Sequence, residues 1–198
     1  MPDPIKRVRP SKLFWLRAKD GREPGSERIT RLLPTVDELP GDGWQCTGQR
    51  TFRSGAGSNS PRSRRARETG KLSASRNFQQ AATGRWLWAQ VMPLANEADA
   101  LELVSTGDFT FLVPDGRERI LTGERTLEGF VIPGCEASWA HEMTVDVKTV
   151  KHSNQVISGA IGATVIVVFG TCAEGESIWA DLIAVAQVMG ARIREGDI

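Results

Sequence analysis

The strongest constraint on this chain lies near its C-terminal end. Val165 to Phe169 reads Val-Ile-Val-Val-Phe, and Trp179, Leu182, Ile183, Ala186, Met189 and Ile193 then follow on one helical stripe. A β-branched run of that kind suits a buried strand. Apolar residues three and four apart share one side of a helix, so the second run is an amphipathic helix long enough to cover a sheet face. Ser177 stands where its hydroxyl can cap that helix.

Further strand and helix signals precede it. Lys71 to Gln80 and Arg85 to Leu94 read as two strands joined by the short Ala81-Ala82-Thr83-Gly84 connection, which suits a hairpin. Side chains alternate across a strand, so Trp86, Trp88 and Gln90 share one face and Leu87, Ala89 and Val91 the other. Both faces are largely apolar, which makes this strand central. Asn96 can cap a helix over Glu97 to Val104, with Glu97 and Asp99 placed against its positive end. Phe109 to Val113, the turn Pro114-Asp115-Gly116 and Arg117 to Leu121 give the clearest hairpin. Phe130 to His141 and Met143 to Val150 are further strands, and Gly159 and Gly162 relieve a bend or bulge before the Val165 strand.

The fold class is therefore α+β, an antiparallel sheet with helices packed on it. Residues 85–104 and 163–185 repeat the order strand, polar turn, helix, which either marks a pseudo-twofold duplication of that unit or is a chance recurrence. The 198 residues suit one domain. Residues 1–31, polar and interrupted by Pro2, Pro4, Pro10 and Pro24, read as a mobile basic arm. Residues 32–198 form the domain, entered through a short helix or turn over Arg31 to Leu39 and carrying a flexible basic loop at 54–67.

Charge is sorted along the chain. The formal net charge is +1, yet residues 1–85 carry 18 Lys and Arg against 8 Asp and Glu, and the remainder carries 7 against 16. Either the halves neutralise each other or a basic surface is presented to an acidic partner. Arg50, Arg53, Arg62, Arg64, Arg65, Arg67, Lys71 and Arg76 lie within a stretch holding one acid, Glu68. They are the candidate binding residues, and a solvated loop is the plain alternative. Such a cluster could also meet a single-stranded nucleic acid, with Phe52, Phe78, Trp86 and Trp88 as stacking partners, although tryptophans at alternating strand positions more often serve a core.

Reaction chemistry is poorly provided for. The only histidines are His141 and His152. Cys135 and His141 are six apart, about 20 Å on an extended strand, too far for proton transfer. His141-Glu142 lacks a second histidine at Val145, so a zinc helix is not formed. Gly70-Lys71 lacks a glycine at Arg65, and Gly55-Ala56-Gly57 has no strand-helix setting, so no phosphate loop is read. Neither metal nor cofactor is expected. A small enzyme using Glu136, Glu142 and Asp146 beside His141 is the catalytic alternative. Cys46, Cys135 and Cys172 are single cysteines without a paired motif, read either as buried thiols or as one disulfide plus a spare thiol. No apolar stretch reaches a membrane span, the longest being Ala160 to Phe169, and the first residues are no secretory signal. The expectation is cytoplasmic if Met1 is the native start, extracellular if an upstream segment is removed.

The stretch Asn154 to Ile193, a strand ending at Cys172 that leads through a polar turn into the striped helix, resembles the extracellular sensor domain of actinobacterial serine/threonine kinases and related lipoproteins. Leu32 to Trp44, LLPTVDELPGDGW, is similar to the opening of that family. The resemblance spans about a third of the chain. It implies an α+β sheet with a ligand-binding cleft between sheet and helices and no assigned reaction. Family members carry paired disulfides, whereas here only Cys135 or Cys46 could partner Cys172. Together these readings describe a non-enzymatic binding or interaction module that holds an acidic partner or ligand.

Overall fold

The structure is a computed structural model, and it describes residues 25–53, 71–107, 119–147 and 150–196. Seven strands form one antiparallel sheet: β1 (Trp44–Arg53), β2 (Leu72–Gln80), β3 (Arg85–Pro93), β4 (Arg119–Thr126), β5 (Ala137–Val147), β6 (Val150–Ile161) and β7 (Thr164–Ala173). Their spatial order is β1-β2-β3-β7-β6-β5-β4. Among the described residues three helices accompany them: α1 (Ser26–Arg31), α2 (Glu97–Thr106) and α3 (Trp179–Arg194). A 3-10 turn, Val36–Glu38, lies between α1 and β1. The α+β architecture with an antiparallel sheet agrees with the expectation.

The β-branched β7 takes the middle of the sheet, where Val165 to Val168 are fully buried between β3 and β6. Alternation divides its side chains between two cores. Ile166 and Val168 join Ala89, Val91, Ile157, Leu182, Ala186 and Met189 on one face, beneath α3. Val165, Val167 and Phe169 join Val156, Met143, Ala100 and Val104 on the other, beneath α2. Thus α2 and α3 cover opposite faces, α2 resting on β5 to β7 and α3 on β6 and β7. Helix α1 packs on β2 on the α3 side, burying Ile29 with Leu32 and Leu33 just after it.

Local chemistry explains the helix ends. Asn96 is extended and its side chain accepts from the Asp99 amide at 2.9 Å, as its cap role predicts. Gly107 closes α2 at φ 60°, and a Cβ there would lie 2.4 Å from Trp139 Nε1, so the position demands glycine on two counts. Helix α3 begins after Ile178 rather than Ser177. The Ser177 hydroxyl still accepts from the Trp179 amide at 3.4 Å, and the Ile178 amide is taken by the Gln155 side chain at 2.9 Å.

Several expectations are corrected. Residues 26–31, placed in the arm, are helical and packed on the sheet because Ile29 supplies an apolar anchor; residues 1–24 lie outside the described residues. The strand sought from Phe130 begins only at Ala137, since Pro133 and Gly134 interrupt the ladder, and it runs on unbroken through Glu142 to Val147. Gly159 sits in regular register between Ser138 and Ile166 with no bulge. Its missing side chain admits Cys135, whose Sγ would be 2.5 Å from a Cβ at that point. The segment Phe109 to Val113 lies outside the described residues, and Arg119–Thr126 pairs with β5. All three cysteines are free thiols. The strands of the two strand-turn-helix units pair antiparallel, β3 with β7, while their helices α2 and α3 cover opposite faces of the sheet.

Candidate functional site

Register sorts the candidate binding residues. On β1 and β2, Gln49 pairs with Arg76 and Arg50 with Ser75, and neighbours along a strand point to opposite faces. Arg76 therefore lies on the α3 side and Arg50 on the other. Arg53 pairs with Leu72, at one end of the ladder, four residues along β2 from Arg76. Lys71 Nζ donates to the Leu94 carbonyl at 2.7 Å. Arg62, Arg64, Arg65 and Arg67 lie outside the described residues. Among the described members the eight do not form one patch.

Arg76 instead meets two residues the sequence reading did not group with it. A cavity of about 370 Å³ opens between α1, the 3-10 turn, β2 and the last turns of α3, lined by Thr30, Arg31, Leu33, Thr35, Arg76 and Arg192. Two guanidiniums are fixed in it by consecutive carbonyls of the connection after α1. Arg76 donates to the Pro34 carbonyl, and Arg192 to the Leu33 carbonyl at 2.7 Å. Arg76 is further held by Gln49 Oε1, which accepts from Nε at 2.9 Å and from a terminal nitrogen. Leu33 is buried and anchors this connection, which is why its carbonyls are held still.

The electrostatics are unbalanced. Among the described residues Arg76 bonds only to neutral acceptors, although it is half-buried. Burial holds its guanidinium below the usual arginine value; Cys46 and Glu38 oppose that shift and the positive charge of Arg192 adds to it. Arg31 is exposed at the rim, and its side chain makes no hydrogen bond or ion pair to a described residue. Of the three, among the described residues, only Arg192 has an acidic partner, Glu38 Oε1. The other oxygen of Glu38 accepts from the Thr35 amide at 2.7 Å and from the Thr35 hydroxyl at 2.9 Å. Burial pushes the Glu38 carboxyl up, and these bonds with the Arg192 charge outweigh it, leaving a net lowering, so this carboxylate is ionised at neutral pH. Among the described residues, three cations against one anion leave the site and its direct partners two positive charges in excess.

The catalytic groupings considered from sequence are not assembled. Cys135 packs against the α3-side core, whereas His141 pairs with Val156 and stacks on Trp139 at 5.3 Å on the α2 side. Burial first, then Glu136, pushes the Cys135 thiol up to about 11, the opposite of an activated nucleophile. Glu142 faces the α3 side, opposite His141, where it accepts from Ser153, Gln155 and Arg125. Glu136 accepts from the Gly162 amide at 3.1 Å. The carboxylate at His141 is Glu124, 3.8 Å away on exposed β4. No group of three or more metal-ligating side chains gathers among the described residues. Trp86 meets Phe169 edge-on at 5.5 Å and, like Trp88, packs against the α2-side core.

Comparison with known proteins places the fold. The extracellular domain of PknH from Mycobacterium tuberculosis superposes with a TM-score of 0.57 at 14% identity, over 85% of this chain and 96% of that one. An ortholog of Rv0999 from Mycobacterium smegmatis gives 0.43 at 9% identity, over 83% and 95%. No family model matches, and no curated protein matches. The first likeness agrees with the resemblance of Asn154 to Ile193 and Leu32 to Trp44 to kinase sensor domains, and it extends that resemblance from a third of the chain to most of it as a matter of fold. No helix among the described residues is long and apolar enough to cross a membrane.

Proposed function

We propose that this chain is a non-enzymatic binding module, and that it holds an acidic ligand in the cavity of Arg31, Arg76 and Arg192. One observation carries the reading: Arg76 is half-buried and hydrogen-bonded, yet it makes no ion pair with a described carboxylate and feels Glu38 only at a distance. Taking a charge out of water is costly unless it is paired, so a pinned cation facing an open cavity is a site built for an incoming anion. The likeness to the extracellular domain of PknH supports a sensing role for such a module and supports placing it outside the membrane.

The melting temperature of the full chain tests this. A dianion in hundredfold excess over its dissociation constant stabilises the native state by about 2.7 kcal/mol, which raises the melting temperature by several degrees. At the same dianion concentration Arg76→Met, with a weakened site, gains no more than about a third of that stabilisation. A chain whose melting temperature responds equally to monovalent salts and to dianions, or identically in the variant, contradicts the reading.

A further inference from the structure

We infer that the ligand of this cavity is a small molecule bearing a phosphomonoester, a conclusion that rests on the anion-binding reading and narrows it. Charge comes first. The two positive charges in excess are balanced by a dianion rather than by a single carboxylate. Position comes second. Leu33 and Pro34 are consecutive, so the carbonyls that fix Arg192 and Arg76 bring both guanidiniums to one place. Two charges on one compact group suit that arrangement better than two carboxylates held apart on a carbon chain.

Donor character comes third. The Thr30 hydroxyl already donates to the Ser26 and Glu27 carbonyls at 2.9 Å, and the Thr35 hydroxyl to Glu38. Each bound guanidinium retains N–H groups, since five are available and only some are used. Guanidinium forks match phosphate oxygens. Among esters, a sulfate ester carries one charge and a phosphate monoester close to two near neutrality. The groove, about 370 Å³ and open to solvent, leaves room for an organic body to extend beyond the charged group.

Isothermal titration of the full chain at low ionic strength, with glycerol 3-phosphate as the probe and inorganic sulfate, methyl sulfate and succinate as comparisons, tests the assignment. Glycerol 3-phosphate binds at one per chain. Its affinity falls about tenfold between pH 7.5 and 5, because the second phosphate proton is taken up near pH 6, while that of inorganic sulfate does not follow this curve. Arg76→Met weakens binding about thirtyfold. Arg31→Gln, which removes no bond to a described residue, weakens it about fivefold with an unchanged circular dichroism spectrum. Succinate binding that depends on Arg76, with no heat from the phosphate, overturns the phosphomonoester assignment and leaves the anion reading standing. Inorganic sulfate binding tighter than the phosphomonoester at pH 7.5 also overturns it. No heat from any of the anions, or affinities indifferent to both substitutions, overturns both.

Discussion

Replacing Phe78 with alanine is expected to lower the unfolding free energy by about 3–5 kcal/mol. Phe78 is fully buried on β2, in register with Leu87 on β3 and Cys46 on β1, within the core that also holds Leu32, Leu33, Leu39 and Trp44. Its neighbours on two sides are hydrogen-bonded strands, which relax little into a void, so the loss includes a cavity as well as the transfer of the ring. Urea unfolding followed by tryptophan fluorescence measures it, and a loss below about 1 kcal/mol would show that this core collapses freely. Arg76 stands two residues earlier on the same face of the same strand. Anion affinity in this variant therefore falls along with stability, whereas Arg31→Gln moves affinity alone.

The second large effect concerns Gln155. This buried side chain on β6 donates to Glu142 Oε1 at 2.9 Å and accepts from the Ile178 amide at 2.9 Å, linking β5 to the start of α3. Gln155→Leu fits the volume but leaves the buried Ile178 amide without its acceptor and removes one of the three side chains that donate to Glu142, at a cost of about 1–3 kcal/mol. It also changes the acid response. Burial pushes the Glu142 carboxyl up, and the bonds from Gln155, Arg125 and Ser153 outweigh burial, so its folded value lies below the ordinary glutamate value. A depressed carboxyl contributes stability above its unfolded value and loses it as pH falls through the folded one. In the parent chain the urea midpoint therefore drops as pH falls below the ordinary glutamate value, and the drop is shallower in Gln155→Leu. An identical acid response in the two proteins would remove Glu142 from the account.

The same residue shows why part of the fold was hidden in the sequence. Strand β7 and helix α3 announce themselves because burial on both faces of one, and on one stripe of the other, leaves an apolar pattern. Strand β6 is buried nearly as deeply, yet it carries Ser153, Asn154, Gln155 and Ser158 inward and reads as polar. Three of these are satisfied by side chains far away in sequence: Glu142 takes Ser153 and Gln155, and Thr171 donates to Asn154 at 2.8 Å. A polar residue with a distant partner looks like a loop residue until the partner is known. Strand β1 was missed for the other reason, being an edge strand with mostly exposed side chains.

The site was legible to the extent of one member. Arg76 belongs to a visibly basic stretch, but strand alternation sends Arg50 to the opposite face, and the partners that matter stand on α1 and at the end of α3. Arg192 is separated from Leu33 by 159 positions, and no local pattern joins them. The available signal was indirect: Leu32 to Leu39 has apolar residues enough to dock, and docking it brings its carbonyls against whatever cations face it.

The central claim, that pinned arginines await an anion, is tested most directly by the Nε–Hε correlations of the arginine side chains in ¹⁵N-labelled protein, with Arg76→Lys used for assignment. During titration with glycerol 3-phosphate the account predicts saturable shifts of Arg76, Arg192 and Arg31. Arg85, paired with Glu176 and Asp181, and Arg125, paired with Glu142, stay in place. Uniform small drifts of every arginine, or saturable shifts confined to arginines outside the cavity, would contradict it.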